Sequence, residues 1–141
     1  MKVSDILSTK GGNVWSIEPG ASVFDAMKLM AEKGVGALIV RQGERVAGVI
    51  SERDYARKVI LEGRSSPTTQ VREIMTAHVL YAGPEQTVEE CMAVMTDKRV
   101  RHLPVLEQGR LIGVISIGDL VKAIISEQQF RIEQLEQYIK G

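Results

Sequence analysis

The sequence predicts an α/β protein made of two copies of a β-α-β-β-α unit, followed by one further helix. Three observations predict it. The chain repeats itself at an offset of 65 residues: GVISERD at 48–54 returns as GVISIGD at 113–119, and positions 16–60 share 15 identities in 45 with their counterparts. Average composition would give roughly three. Within each copy, apolar residues switch between helical spacing and short continuous strand-like runs. After the second copy, apolar residues keep recurring at steps of four and three toward the end of the chain.

In copy one, residues 1–64, Val14–Ile17 is a short strand candidate and Glu18-Pro19-Gly20 a turn. Val23, Ala26, Met27 and Met30 place one apolar face on a helix over Ser22–Lys33. Ser22 and Asp25 form its capping box and Gly34 its stop. Ala37–Val40 reads as a buried strand, Gln42-Gly43-Glu44 as a hairpin turn and Arg45–Ile50 as the returning strand. Ser51 opens a second helix running to about Leu61. Copy two, residues 65–126, repeats this order with Val79–Ala82, Thr87–Lys98, His102–Leu106, a turn at Gln108-Gly109, Arg110–Ile115 and a helix from Ser116. The pairs Val3/Val71 and Asp5/Glu73 stand at an offset of 68 rather than 65, so Lys10–Asn13 contains a small insertion.

Residues 127–141 continue the last helix. Val121, Ile125, Gln128, Ile132, Leu135 and Ile139 form a short coiled-coil-like seam broken by Gln128. Such a helix either lies on its own domain or meets a second copy in a homodimer.

Each repeat of about 65 residues is marginal alone, and the connection Glu62–Gln70 is short and polar, so the copies are expected to pack together. Lys plus Arg and Asp plus Glu both number 18. The zero net charge lacks the basic excess of a nucleic-acid surface and fits self-association. One Cys excludes an intrachain disulfide and a cysteine metal cage. No apolar run approaches membrane-spanning length and no signal-peptide core is visible, so a soluble, cytoplasmic protein is expected, with neither a membrane nor a nucleic acid as partner. With two histidines and no HExxH, Cys/His cluster, GxGxxG or P-loop, the sequence offers no catalytic constellation and no metal site.

The repeated Ser-x-x-Asp admits two readings. A serine at a helix start caps a free N–H, and an aspartate three residues on returns the favour. Ser22/Asp25 and Thr87/Glu90 are boxes of that kind with no function assigned. Ser51/Asp54 and Ser116/Asp119, however, follow directly from almost wholly apolar strands. Ligands in open α/β units sit beyond such strand ends. There a serine can bond a phosphate, and an aspartate can accept from two vicinal hydroxyls, as a ribose phosphate requires.

The duplicated G-h-[IV]-[ST]-x-x-D ending, together with IMT at 74–76 and RHLPV at 101–105, resembles the CBS-domain pair, or Bateman module, over about residues 2–126. The resemblance implies two repeats packed through their sheets about a pseudo-twofold axis. It also implies two clefts that bind adenine nucleotides, and a regulatory rather than catalytic role acting on a separate protein. AMP or NAD(H) is the foremost ligand, with ATP and ADP as further candidates and no catalytic cofactor. Carried over by position, Asp54 and Asp119 would hold ribose hydroxyls. Ser51, Arg53, Ser116, Gly118, Arg101 and His102 would lie at phosphate. Thr9, Val14, Trp15, Val35, Gly36, Ala37, Thr76, Val79 and Val100 would line the base. The copies differ where Arg53 faces Gly118 and Arg101-His102 faces Gly36-Ala37 in the alignment, which implies unequal phosphate handling. A dimerisation module with empty clefts is the other reading. Trp15, whose counterpart is Leu80, fits a core or interface position slightly better than a stacking platform. Cys91, inside a helix, fits an inert buried thiol.

Overall fold

A computed structural model describes residues 1–140; Gly141, the end of the expected 127–141 extension, lies outside them. The fold is α/β, and its two compact units cut across the sequence repeats. One is Val14–Val79, and the other joins Met1–Asn13 to residues 80–140.

In the 14–79 unit the predicted first strand contracts to β1, Ser16–Ile17, which runs parallel to β2, Ala37–Gln42. β2 pairs antiparallel with β3, Arg45–Ser51, in the order β1-β2-β3. A second helix covers this sheet. Numbered after the N-terminal helix of the other unit, it is α2, Val23–Lys33. Its start is the expected one: the Asp25 amide donates to Ser22 Oγ at 3.0 Å. It ends at Gly34, whose φ of 66° is the left-handed conformation that glycine adopts freely. Val23, Ala26 and Met30 are buried. The helix expected after Ser51 is present but changes character, from an α-helical turn, α3 at Glu52–Tyr55, to a π-helical one at Ala56–Ile60.

The core of this unit is completed by an element the sequence reading passed over, the one-turn helix α4, Val71–Ile74. Val71 and Ile74 are fully buried among Val23, Leu38, Ile50 and Val59. Glu73 Oε2 accepts from the Gln70 amide at 2.7 Å and closes the helix start. Just beyond, Thr76 bridges to Val49 through a pair of backbone hydrogen bonds of 2.9 and 3.0 Å.

The other unit has the same plan. α1, Val3–Lys10, also unforeseen, buries Val3 and Ile6 against Val88, Leu103, Ile115 and Leu120. Asp5 Oδ2 accepts from the Lys2 amide at 2.8 Å. Val-x-x-Ile with an acid at the third position thus builds both α1 and α4. α5, Val88–Lys98, starts at Thr87, whose Oγ1 accepts from the Glu90 amide at 3.1 Å. β4, His102–Glu107, and β5, Arg110–Ser116, form an antiparallel pair. The strand expected at Val79–Ala82 is reduced to a single parallel bridge from Ala82 to Val105. α6, Ile117–Lys140, is one unbroken helix in which Leu120 and Ala123 are buried and everything beyond Gln128 is exposed.

Two equivalent glycines show how closely the short helices approach. A Cβ on Gly48 would stand 2.6 Å from the Thr76 carbonyl oxygen, whereas one on Gly113 would stand 2.7 Å from Leu7 Cδ2. Backbone cannot yield as a leucine rotamer can. Gly48→Ala is therefore expected to cost about 1–3 kcal/mol by forcing the Thr76 bridge apart, and Gly113→Ala less than about 1 kcal/mol. Urea unfolding of the two variants measures the difference, and equal losses would contradict this account.

Candidate functional site

Each unit carries one Ser-x-x-Asp corner where its last strand runs into a helix. In the 14–79 unit, Ala37 pairs with Ser51 across β2 and β3, and the Glu52 amide donates to the Gly36 carbonyl at 3.1 Å. The predicted Gly36-Ala37 wall therefore lies beside the corner. The Ser51 amide donates to Asp54 Oδ2 at 3.0 Å, the Asp54 amide donates to Ser51 Oγ at 3.3 Å, and Ser51 Oγ donates to Asp54 Oδ2 at 3.1 Å. Lys58, one turn on, places its ammonium 3.4 Å from Asp54 Oδ1 and donates to the Ile74 carbonyl at 3.0 Å. Arg53 is half-buried, with no ion-pair partner among the described residues. Thr76 reaches this unit through its bridge to Val49, two residues before Ser51.

The other predicted wall residues are less tightly tied to the corner. Val35 donates its amide to the Met30 carbonyl at 3.0 Å, closing α2. The Trp15 carbonyl accepts from the Ile39 amide at 3.1 Å at the sheet edge. The residue is 39 % exposed, and its ring carries the Lys33 ammonium 4.4 Å from its centroid. Trp15 is thus a surface ring engaged by a cation, which removes the core half of the expected core or interface position. Leu80 is itself exposed. Val14 and Val79 are half-buried, and no hydrogen bond among the described residues ties them to the corner.

In the other unit, His102 pairs with Ser116 across β4 and β5, and the Ile117 amide donates to the Arg101 carbonyl at 2.9 Å. The Ser116 amide donates to Asp119 Oδ2 at 2.8 Å and the Asp119 amide donates to Ser116 Oγ at 3.1 Å. Lys10, the last residue of α1, donates to the same Asp119 Oδ2 at 2.7 Å and to the Val114 carbonyl at 2.7 Å. Thr9 folds its hydroxyl back onto the Asp5 carbonyl at 3.4 Å. Arg101 and Gly118 are exposed, and His102 and Val100 are half-buried. The sequence reading missed Lys10 as a site residue. The signal was the insertion at Lys10–Asn13 that breaks the repeat offset.

The electrostatics of this corner follow from its packing. Burial pushes the Asp119 carboxyl up, but the Lys10 ammonium and the Ser116 donors outweigh it and hold the carboxyl below its ordinary value. His102 is held below its ordinary value, first by burial and then by the Lys10 ammonium, with Arg101 adding and Asp119 opposing. Cys91 is buried, and desolvation raises its thiol, which makes it unreactive.

Both corners are therefore true capping boxes. They differ from Ser22/Asp25 and Thr87/Glu90 in two respects among the described residues: the serine amide also donates to the aspartate, and of these four acids only Asp54 and Asp119 pair with a lysine ammonium. Carboxylate acceptors beside ammonium donors suit a hydroxylated ligand. No group of three His, Cys, Asp or Glu among the described residues is placed to hold a metal ion. No helix among them is long and apolar enough to cross a membrane.

Comparison with known proteins agrees with this architecture. The CBS domain family matches residues 3–61 and 71–126. The mitochondrial CBS domain-containing protein CBSX3 of Arabidopsis thaliana is 41% identical over 99% of this chain and 72% of its own length. The solved structure of a protein with CBS domains from Burkholderia ambifaria is 54% identical, with a TM-score of 0.88, over 91% of this chain and 96% of that one. A CBS domain pair in complex with 5′-methylthioadenosine and S-adenosyl-L-methionine shares the fold at 20% identity and a TM-score of 0.80, over 90% and 98% of the two chains.

The lowered His102 fixes a sign for pH dependence. Between its folded value and the ordinary value near 6.5, the unfolded chain binds more protons than the folded one. Stability therefore rises with pH through that window and is lost on acidification. The melting temperature of the protein is expected to fall as pH is lowered from 7.5 to 5.5, and His102→Gln is expected to flatten that slope. Identical slopes would show that His102 does not titrate against the fold.

Proposed function

The chain belongs to the CBS-domain family, and on that premise we propose that it is a regulatory module binding an adenine nucleotide, AMP or NAD(H) first, at the Asp54 and Asp119 corners. The observation that carries the reading is the duplication of one polar corner at the ends of two apolar strands, each aspartate held by its serine amide and faced by a cation. Asp54 and Asp119 take ribose hydroxyls. Ser51 and Ser116, with Arg53 on one side and Arg101, His102 and the open backbone at Gly118 on the other, take phosphate. Thr9, Val14, Trp15, Val35, Gly36, Ala37, Thr76, Val79 and Val100 supply the surroundings of the base. The related CBS pair solved with two adenosine compounds supports this ligand class.

The role is linkage rather than catalysis. A ligand present at 100 times its dissociation constant stabilises the form that binds it by about 2.7 kcal/mol, and the output passes to a separate protein. The first test is mass spectrometry of small molecules released from freshly purified, denatured protein, with thermal shifts on adding AMP, ATP, NAD or NADH. An adenine compound or a shift is expected, and neither would sink the reading. Asp54→Ala and Asp119→Ala are each expected to remove one equivalent of ligand; unchanged stoichiometry in both would overturn the residue assignment.

A second reading, compatible with the first, comes from α6. Its seam residues Ile125, Ile132, Leu135 and Ile139 are 49%, 55%, 61% and 81% exposed. Isoleucine at 125, 132 and 139 alternates with Val121, Gln128 and Leu135, the pattern of a two-stranded parallel coiled coil with one polar layer. Arg131 and Glu136 flank the seam where parallel helices exchange charge. A second copy of this chain is the fitting partner. Sedimentation is expected to give a homodimer that Ile132→Asp with Leu135→Asp converts to a monomer; a dimer that survives both changes would place the interface elsewhere.

A further inference from the structure

Lys58 aligns with Ala123 in the repeat, so the second corner lacks the lysine that the first draws from its own helix. The structure supplies one from elsewhere. Lys10, carried in by α1 and standing in the insertion, takes up the same pair of contacts: the corner aspartate and a backbone carbonyl of the same unit. Helix capping requires no lysine, and the two boxes without function have none among the described residues. Two unequal stretches of sequence have thus converged on one polar constellation.

We propose that Lys10 and Lys58 are ligand-contacting members of the Asp119 and Asp54 corners, each donating an N–H to the sugar hydroxyl beside the one its aspartate accepts. This rests on the nucleotide-binding reading above. An ammonium has three donors and no acceptor. Lys10 commits two of them, to Val114 and to Asp119 Oδ2, whereas Lys58 commits one, to Ile74, and stands 3.4 Å from Asp54 Oδ1 as an ion pair. Asp119 takes both its bonds on Oδ2, so Oδ1 has no partner among the described residues. A spare acceptor and a spare donor then stand side by side. A vicinal diol answers both at once: one hydroxyl donates to the carboxylate while its neighbour accepts from the ammonium. A sugar lacking the second hydroxyl leaves the lysine unanswered. The two 2.7 Å bonds of Lys10 also hold it in place before the ligand arrives, which reduces the ordering cost of binding. Recognition of the diol is therefore tighter at the Asp119 corner, because Lys58 stands at the longer 3.4 Å from Asp54 Oδ1.

The test is calorimetric titration of AMP and of 2′-deoxy-AMP into the full chain and into Lys10→Ala and Lys58→Ala, with Asp54→Ala and Asp119→Ala assigning each heat to its corner. Lys10→Ala is expected to weaken AMP at the Asp119 corner by about tenfold or more and to leave the Asp54 corner as it was; Lys58→Ala is expected to do the reverse. Each loss is expected to be smaller for 2′-deoxy-AMP. The corner left intact in each variant reports that the chain is folded. Wild-type affinities in both lysine variants would overturn the proposal, and so would tighter binding, because the lysines would then be plugs. If AMP binds neither the native chain nor any variant, the nucleotide reading itself falls, and this proposal with it.

Discussion

Everything in this fold depends on four apolar side chains at two places far from the sheets in sequence. Val3 and Ile6 close one core, and Val71 and Ile74 close the other. A sheet of two or three short strands covered by one helix leaves part of its inner face open. Each unit closes that face with a helix of one or two turns. Such helices are not stable alone; they form because each buried valine or isoleucine contributes about 1.5–3 kcal/mol as an upper figure, and because Asp5 and Glu73 accept the first free amides. The helix at the start of the chain serves the unit built from the second repeat, and the helix that opens the second repeat serves the unit built from the first. The sequence repeat and the folding unit are therefore different objects.

That exchange is also what completes the two polar corners. It carries Thr76 to Val49 in one unit and Lys10 to Asp119 in the other. The Lys10–Asp119 pair it creates and the Lys58–Asp54 pair within copy one are partly exposed, a setting in which such pairs contribute about 0–1 kcal/mol, so stability is a weak reason for their presence. Their geometry is better explained by the chemistry of the corner. A lysine is retained beside each aspartate although the repeat alignment offers one at 58 and an alanine at 123.

The parts of the fold legible in the sequence were those with local signals. The boxes at Ser22 and Thr87 set the starts of α2 and α5, and apolar runs broken by Gly43 and Gly109 set both hairpins. What was not legible depended on distant partners. β1 shrinks to two residues and its counterpart to one bridge, because the chain turns at Pro19-Gly20 and Pro84-Glu85 directly after them. α1 and α4 are too short for periodicity to reveal, although Val3/Val71 and Asp5/Glu73 already repeated. Within the candidate site, the serines and aspartates were visible as a motif. Lys10 was not, because its role comes from an insertion meeting a residue more than a hundred positions away. The core position expected for Trp15 failed because a repeat partner predicts depth only where both copies are buried, and Leu80 is not.

The two corners also differ in what lies downstream of them. In copy one the helix after Ser51 ends at Ile60, with its second half in a widened π turn. In copy two the helix after Ser116 runs unbroken to Lys140. At 1.5 Å per residue, its 24 residues span roughly 36 Å. Asp119 sits in its first turn and the exposed Ile132, Leu135 and Ile139 in its last turns. A helix of that length is stiff on the scale of a side-chain contact, so Asp119 and Lys10 stand at the base of a rod that presents the seam. On the proposed reading, the Asp119 corner is thereby the one placed to couple nucleotide occupancy to self-association. The Asp54 corner, with no such extension, adds binding without that lever. On that reading, the asymmetry between the repeats separates a corner that binds alone from one that binds at the base of a long helix.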